Sequence, residues 1–206
     1  ELKTPLMSIQ GYAEGIKEDV LDDKDEALDI IIDESKRLKK LVEQIILLSK
    51  LETMEEFYDF KPHDISDVVN DSIRKVSSLA LKSNIEIESD IGQGSIIEID
   101  RDKIVQTLIN VLGNCIRYAK SRIYIRAATV GNNYQIEIGD DGSGIAPDEL
   151  PKVFERFYKG RHGNTGLGLA ITKTVIERHK GYIKAFNSSD GGAVFIISLP
   201  VENIEN

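Results

Sequence analysis

The feature that most constrains the fold is the spacing of apolar residues in the first 20 positions. Steps of four, three, four, three and four residues separate Leu2, Leu6, Ile9, Ala13, Ile16 and Val20. Alternating steps of three and four keep side chains on one stripe of an α-helix, as in a heptad seam. A first helix is therefore predicted here, with its apolar stripe available for packing against another helix.

A second helix of the same kind is predicted from Glu26 to about Leu51. Its apolar stripe comprises Leu28, Ile31, Leu38, Leu41, Ile45 and Leu48. The polar run Leu21 to Asp25 between the helices offers Asp side chains that can cap the second helix. Because a lone hairpin leaves much of both stripes open to water, we expect two copies to pair as a dimeric four-helix bundle. Packing of the hairpin on the rest of its own chain is the alternative.

The composition changes after the second helix. Residues 52–63 are charged and aromatic, and Pro62 comes just before a capping signal at Asp64. Helix and strand patterns then alternate: a helix at 64–83, strands at 84–89 and 95–99, a helix at 101–119, strands at 122–130 and 134–139, a helix at 167–179, and strands at 182–186 and 193–199. We therefore expect two domains, residues 1–56 and residues 57–206, the second being a compact α/β domain.

The composition excludes several classes of protein. The formal net charge of −9 argues against a protein that binds nucleic acid through its phosphates. A single cysteine excludes a disulfide framework and a Cys-based zinc site. No uninterrupted apolar run approaches about 18 residues, and no signal peptide is visible. Because the chain begins at Glu1 instead of Met, we interpret it as a fragment of a longer protein. We expect this fragment to be cytoplasmic and to make no membrane contact.

The predicted helix at 101–119 has two different faces. Asn110, Asn114 and Arg117 are four and three residues apart and share one narrow face. Apolar residues lie around the other side, at Ile104, Leu108, Val111, Leu112, Cys115 and Ala119. Carboxamide oxygens suit Mg²⁺, and a guanidinium can neutralise phosphate oxygens. This face is either a ligand site or an ordinary polar helix surface.

Two glycine-containing segments adjoin predicted secondary structure. In Gly139 to Ile145, Asp140 and Asp141 stand at a strand end among glycines that allow tight turns. Asp140 could accept a hydrogen bond from an exocyclic amine, or the segment is an ordinary acidic turn. Thr165 to Ile171 opens an apolar helix, where free N–H groups and the helix dipole attract phosphate. This second segment is neither a Walker loop nor a full dinucleotide fingerprint.

In this order and spacing, four segments resemble the N, G1, F and G2 boxes of sensor histidine kinases. They are Asn110-Val-Leu-Gly-Asn114, Asp140-Asp-Gly142-Ser-Gly144, Val153-Phe154-Glu-Arg156-Phe157-Tyr158 and Thr165-Gly166-Leu-Gly168-Leu169. Glu1 to Leu6 also resembles the H box, without the histidine that would stand immediately before Glu1. The resemblance implies an α-helical hairpin for dimerisation and histidine phosphotransfer, forming a dimeric four-helix bundle. An α/β sandwich ATP-binding domain of the histidine-kinase (GHKL) type would follow.

The resemblance also implies roles for individual residues. Asn114 would bind Mg²⁺, with Asn110 and Arg117 helping to hold the metal and the phosphates of ATP. Tyr118 would lie beside the adenine, and Asp140 would recognise the adenine amine. The remaining residues implied for the ATP pocket and its lid are Gly142, Gly144, Ile145, Arg156, Thr165, Gly166, Leu167, Gly168 and Leu169, with Phe154 and Phe157 packing the lid.

The implied activity is that of an ATP-dependent protein-histidine kinase. The histidine before Glu1 would attack the γ-phosphoryl group, with Glu1 orienting or deprotonating the imidazole. The phosphoryl group would pass to an aspartate of a response regulator receiver domain, and Thr4 implies phosphatase activity on that partner. The parent protein would be anchored to the bacterial cell membrane. There are two alternatives. One is a non-catalytic scaffold for dimerisation or nucleotide binding that retains the fold, and the other is another GHKL-type ATPase of the gyrase, mismatch-repair or anti-sigma kinase type.

Overall fold

A computed structural model describes residues 2–159, 165–189 and 191–201. Its helices are α1 (Lys3–Lys17), α2 (Lys24–Thr53), α3 (Ile65–Lys82), α4 (Arg101–Tyr118) and α5 (Gly168–Arg178). Its strands are β1 (Lys61–Asp64), β2 (Glu86–Ile91), β3 (Ile96–Ile99), β4 (Arg122–Val130), β5 (Asn133–Asp140), β6 (Tyr182–Asn187) and β7 (Ala193–Pro200). Short 3₁₀ helices cover Glu55–Phe57 and Leu150–Lys152. The chain divides into two compact units, residues 1–50 and residues 51–206.

The first unit is a helical hairpin whose turn is set by two aspartates. Asp19 adopts the left-handed conformation with a φ of 59°. Its N–H donates to the carbonyl of Ile16 at 3.3 Å, and the N–H of Val20 donates to the carbonyl of Gly15 at 3.1 Å, a pattern that ends a helix. Asp23 accepts a hydrogen bond of 2.9 Å from an N–H in the first turn of α2, which confirms the predicted cap. The prediction that Val20 continues the helical seam is wrong, because α1 ends before it and its side chain is 68% exposed.

Much of the apolar surface of this hairpin is exposed in the single chain. The exposed large apolar residues of the first unit include Leu2, Leu6, Met7, Leu28, Ile32, Val42 and Ile46. Isolated surface apolar residues are normal, whereas a series along two adjacent helices is typical of an interaction surface.

The second unit has a five-stranded sheet in the order β2-β4-β5-β7-β6. β2 and β4 are parallel, and the other neighbours are antiparallel. Ile125, Ile138 and Phe195 are aligned across β4, β5 and β7 and are all buried. Alternate residues of a strand share a face, so Asp140, two residues after Ile138, lies on this buried face at the end of β5. Helices α3, α4 and α5 contact β2, β5 and β6 respectively.

The sequence patterns did not predict β1. It pairs antiparallel with β3, from Lys61 opposite Ile99 to Asp64 opposite Ile96. Pro62 argues against a strand because it lacks the N–H that a ladder needs, but a two-stranded sheet leaves an unpaired side where proline is tolerated.

A polar cluster at the start of α4 holds the segment that leads into β1. Asp100 Oδ2 accepts hydrogen bonds from the backbone N–H of Asp59 at 3.0 Å and from Lys103 Nζ at 2.5 Å. Lys103 Nζ also donates to the carbonyl of Phe57 at 2.5 Å. Burial alone would raise the pKa of Asp100, but hydrogen bonds from Lys103 and Asp59 outweigh it and lower that pKa. The segment before β1 is therefore fixed to α4.

His179, just after α5, is a second anchor for this segment. The residue is 5% exposed, and its Nε2 accepts a hydrogen bond of 3.0 Å from the backbone N–H of Asp100. Because Nε2 accepts, the proton of the neutral ring lies on Nδ1, 2.7 Å from the carbonyl of Val175. The ring of Phe60 packs against the imidazole with a centroid distance of 4.9 Å. Burial lowers the pKa of His179, which favours the neutral ring.

Candidate nucleotide-binding site

Asp140 is a buried carboxylate at the end of β5, with 5% of its surface exposed. Its Oδ1 accepts hydrogen bonds from the backbone N–H groups of Gly142 at 2.9 Å and Ala193 at 3.2 Å. Burial raises the pKa of Asp140, and the two backbone donors oppose that rise. Burial also raises the pKa of the nearby Cys115 thiol, which stays protonated. A carboxylate has about four acceptor positions, so Asp140 retains capacity for a ligand amine.

The neighbouring Asp141 ties the end of β5 to the connection that follows α4. Its Oδ1 accepts from the backbone N–H groups of Lys120 at 2.8 Å and Ser121 at 3.1 Å. Its Oδ2 accepts from the Ser121 hydroxyl at 2.6 Å. Burial alone would raise the pKa of Asp141, but the hydrogen bonds from Ser121 and the neighbouring N–H groups hold it well below its usual range. This fixes the backbone just beyond Tyr118 beside the Asp140 loop.

The loop after Asp140 makes close backbone contacts that only glycine allows. A Cβ at Gly142 would collide with the carbonyl oxygen of Tyr118. Gly144 has a φ of 72°, and a Cβ there would lie 2.7 Å from Asn187 Oδ1. The Asn187 amide accepts from the N–H of Ile145 at 2.8 Å and donates to the Ile145 carbonyl at 2.7 Å. The loop is therefore held from its own strand and from the end of β6.

Helix α4 has the two faces that the sequence predicts. The buried residues include Ile104, Leu108, Val111, Leu112 and Cys115. Ala119 follows the helix end and is half-buried. On the polar face, Asn110 and Asn114 are half-buried, and Arg117 and Tyr118 are exposed. Asn110 Nδ2 lies 3.5 Å from the carbonyl oxygen of Gly168, which places this polar face beside the first residue of α5.

Helix α5 begins without a capping side chain among the described residues. Leu167 occupies the N-cap position and makes no side-chain cap, so the first N–H groups and the helix dipole favour an anion there. Gly166 has a φ of 70°, and a Cβ there would lie 2.6 Å from backbone atoms of Phe157 and Tyr158. Thr165 and Leu167 are buried, whereas Gly168 and Leu169 are half-buried. Two of the predicted segments thus pack backbone to backbone.

Two family models together match most of the chain. One, described as "Histidine kinase-, DNA gyrase B-, and HSP90-like ATPase", matches residues 99–203. The other, "His Kinase A (phospho-acceptor) domain", matches residues 1–53. The chain belongs to the sensor histidine kinase family. The predicted fold, a helical hairpin followed by an α/β ATPase domain, is confirmed for this kinase, and pairing of two hairpins stays a prediction.

Individual relatives resemble the kinase along its whole length. The sensor protein kinase WalK of Staphylococcus epidermidis is 32% identical over 219 residues, a match that covers 100% of this chain and 36% of WalK. The structure of the Acinetobacter baumannii histidine kinase AdeS has a TM-score of 0.80 at 27% identity, covering 98% of both chains. Histidine kinase ThkA, solved in complex with response regulator protein TrrA, has a TM-score of 0.79 at 24% identity, covering 100% of this chain and 60% of that one. The kinase chain thus spans about a third of the curated relative WalK.

The proposed lid of the kinase, residues 146–165, is described only in part, since residues 160–164 lie outside the described ranges. Arg156, predicted to meet phosphate, forms an ion pair with Glu52 in the last turn of α2. Arg178 donates to the backbone carbonyl of Glu52. Phe154 is half-buried, and Phe157 is 37% exposed with a φ of 63°. A nucleotide phosphate would therefore compete with Glu52 for Arg156.

No group of three or more His, Cys, Asp or Glu side chains in the described ranges of the kinase could hold a metal ion. Mg²⁺ takes oxygen ligands and usually keeps several water molecules and substrate phosphates in its coordination shell. The amide oxygens of Asn110 and Asn114 fit that description, so binding of Mg²⁺ there would depend on the nucleotide.

The residues predicted to serve phosphotransfer lie at the start of the kinase chain. Thr4 is exposed in the first turn of α1. Glu1 lies outside the described residues. Pro5 follows Thr4 in the first turn of α1. Proline has no backbone N–H, and an N–H at this position would have no partner within the helix. None of the helices in the described part of the kinase is long and apolar enough to cross a membrane.

Two contacts at the candidate site come from residues outside all four predicted motifs. Asn187 lies 42 residues from its partner Ile145, and Ala193 lies 53 residues from Asp140. Asn187 is the last residue of β6, and Ala193 is the first residue of β7. At the end of a strand, a polar side chain or a backbone N–H can reach a neighbouring loop. That position at a strand end is the one signal the sequence offers for them.

Proposed function

We propose that this chain is the ATP-binding and autophosphorylating core of its kinase. Residues 57–206 would bind ATP with Mg²⁺, and a histidine immediately before Glu1 would receive the γ-phosphoryl group. The observation that carries this proposal is the buried Asp140 carboxylate, whose Oδ1 is oriented by two backbone N–H donors. It lies in the same unit as the polar face of α4 and the uncapped start of α5, which adjoin each other through Asn110 and Gly168.

Each part of the site would bind a different part of the nucleotide. Asp140 would accept a hydrogen bond from the adenine amine, and Tyr118 would lie beside the ring. The N–H groups at the start of α5 and the Arg117 guanidinium would bind phosphate oxygens. Asn110 and Asn114 would direct their amide oxygens to the metal. Mg²⁺, when bound, would spread the negative charge of the transferring phosphoryl group.

The proposed reaction forms a nitrogen–phosphorus bond. The imidazole nitrogen attacks the γ-phosphorus of ATP while the bond from that phosphorus to the β,γ-bridging oxygen breaks, and ADP leaves with the electron pair. The Glu1 carboxylate would orient the imidazole and take its proton. The phosphoryl group would then pass to an aspartate carboxylate of a response regulator receiver domain. ThkA, which has the same fold, was solved with a response regulator.

We further propose a homodimer through residues 1–56. The exposed apolar residues along α1 and α2 support this proposal, because a second hairpin would remove them from water. A cytoplasmic position for this part of the protein, with a membrane anchor elsewhere in the parent, is proposed on the family resemblance.

Calorimetric titration with MgATP tests the nucleotide site. The parent chain should bind, and Asp140→Asn should bind about 10- to 100-fold more weakly, because an N–H then faces the adenine amine. Asn114→Asp should alter the dependence on Mg²⁺. Asn132→Asp, the same chemical change in the exposed turn between β4 and β5, is the matched control. A parent chain that binds no nucleotide would leave a scaffold and overturn the kinase proposal.

Adding a histidine before Glu1 tests the transfer step. The extended chain should gain acid-labile, base-stable label from γ-labelled ATP, and the parent chain should gain none. Nucleotide binding without labelling would favour another GHKL-type ATPase.

The proposed phosphatase activity rests on Thr4. Thr4→Ala should slow release of phosphate from a phosphorylated receiver domain, whereas Ser35→Ala on the exposed surface of α2 should not. An unchanged rate in Thr4→Ala removes Thr4 from that step.

A further inference from the structure

Asn187 makes a two-point contact with one peptide segment of the candidate site. Its Oδ1 accepts from the Ile145 N–H at 2.8 Å, and its Nδ2 donates to the Ile145 carbonyl at 2.7 Å. An amide side chain that both accepts from and donates to one residue behaves like a paired strand. The Ile145 backbone therefore cannot shift or turn without losing both hydrogen bonds.

The same strand pair also contacts the other end of the loop. Asn187 and Ala193 are opposite each other in the β6–β7 ladder. Ala193 donates its N–H to Asp140 Oδ1 at 3.2 Å, while Asn187 holds Ile145. One pair of residues thus contacts both the first and the last residue of loop 140–145.

The loop is shaped to accept this contact. A Cβ at Gly144 would lie 2.7 Å from Asn187 Oδ1, and Gly144 has a φ of 72° that other residues rarely adopt. Ile145 is followed directly by Ala146, where the proposed lid starts. The path of the lid as it leaves Asp140 is accordingly set by Asn187.

We propose that Asn187 is a positioning residue of the nucleotide site. It touches no nucleotide atom in this proposal; it fixes the Gly144–Ile145 backbone so that the adenine-facing loop keeps its shape and the lid leaves in one direction. The inference rests on the proposed ATP-binding function. It predicts that loss of the paired hydrogen bonds weakens nucleotide binding while the fold is retained.

The test is calorimetric titration of the full chain with MgATP at about pH 7.5. Asn187→Ala, which loses both hydrogen bonds, should bind about tenfold more weakly than the parent. In Asn187→Asp the carboxylate can accept from the Ile145 N–H but cannot donate to the Ile145 carbonyl, so this variant should also bind more weakly than the parent.

Several controls separate this effect from others. Each affinity is expressed as a ratio to that of the parent measured in the same buffer. Asn132→Asp adds the same charge at the opposite end of β5 and should bind like the parent. Melting followed by circular dichroism should show that the Asn187 variants retain the parent fold.

The outcomes distinguish the two proposals. If the parent binds MgATP and Asn187→Ala binds equally well, the positioning inference is overturned and the proposed function stands. If Asn187→Asp, which keeps the acceptor but loses the donor, binds as tightly as the parent, the paired hydrogen bonds do not position the loop and the inference is again overturned. A parent that binds no nucleotide overturns the proposed function, and with it this inference.

Discussion

The backbone N–H of Asp100 donates a 3.0 Å hydrogen bond to Nε2 of His179, which lies 79 residues further along the chain. This bond joins the start of α4 to the end of α5. The polar face of α4 and the uncapped start of α5 adjoin each other further along, through Asn110 and Gly168. Two helices that together form the candidate site are therefore joined at both ends of their contact.

Protonation of His179 should destabilise the fold. Burial lowers the pKa of His179 in the folded chain below the unfolded value near 6.5, so the unfolded chain binds the proton first. Stability from the neutral ring is complete above about pH 6.5 and is lost as the pH falls below it. We expect the free energy of unfolding, measured by urea titration with circular dichroism, to decrease from pH 7.5 to pH 5.5.

His179→Gln provides the comparison, because the Gln oxygen can accept from Asp100 and does not titrate. Its stability should depend less on pH over this range, and His63→Gln on β1 should follow the parent. If the free energy of unfolding changes with pH equally in the parent and in His179→Gln, then His179 does not contribute to the pH dependence of stability.

Asp141 should stabilise the fold through its hydrogen bonds with the Lys120–Ser121 segment. Asp141→Asn should lower the free energy of unfolding at pH 7 by about 1 kcal/mol, since an amide cannot accept from all these donors at once. The folded pKa of Asp141 lies below the unfolded value near 3.9, so this contribution is present above about pH 4 and is lost as the pH falls towards the folded pKa. In urea titrations, the difference in free energy of unfolding between the parent and Asp141→Asn should therefore be constant from pH 7 to pH 5 and should become smaller below pH 4. Asp90→Asn, the same substitution at an exposed position on β2, is the matched control, and its free energy of unfolding at pH 7 should equal that of the parent.

Two glycine substitutions should act in opposite directions. Gly166→Ala should destabilise the chain by about 1 kcal/mol or more and weaken nucleotide binding, because its φ is 70° and its Cβ would meet the Phe157–Tyr158 backbone. Gly113→Ala, in the interior of α4 with nothing within 4 Å of the added Cβ, should stabilise it by about 0.5–1 kcal/mol. Thermal melting and MgATP titration measure both effects. A Gly166→Ala chain as stable as the parent would contradict the close packing of the two segments.

Release of Arg156 from Glu52 should strengthen nucleotide binding. Glu52→Gln removes the carboxylate that competes with phosphate, and we expect MgATP affinity to rise about two- to threefold at low ionic strength. Arg156→Gln should lower affinity, and the double variant should resemble Arg156→Gln. If the double variant binds MgATP more tightly than Arg156→Gln does, the Glu52 carboxylate weakens binding by repelling the phosphates directly and not through its ion pair with Arg156.

The periodic patterns predicted most elements because local physics decides them. The apolar face of α4 is buried, and the cap at Asp23 forms as its sequence position indicates. Val20 was misplaced because the left-handed conformation of Asp19 ends the helix while the apolar spacing continues. β1 was missed because its pairing depends on the distant β3, and Pro62 hides the strand signal.

The candidate site was predictable where its residues lie in compact motifs. Asp140 is buried because it continues the inward alternation of β5, which the sequence shows directly. Asn187 and Ala193 reach the site only through tertiary folding, across 42 and 53 residues. Their positions at strand ends are visible in the sequence, but no local pattern indicates which loop they contact. Likewise, nothing local indicates that Glu52 pairs with Arg156, 104 residues away.

The segment before β1, which is fixed to α4, determines where this protein could be joined to domains of other proteins in a chimera. Burial raises the pKa of Tyr58 to about 12, so its hydroxyl remains a donor, and it bonds the carbonyl of Leu51 at 3.2 Å. Arg178 donates to the next carbonyl, that of Glu52. A chimera spliced at residue 57 would replace Leu51 and Glu52 and so change the carbonyl partners of both Tyr58 and Arg178. The transplantable nucleotide-binding module therefore includes the last turn of α2, and a working junction for domain exchange belongs upstream of Leu51.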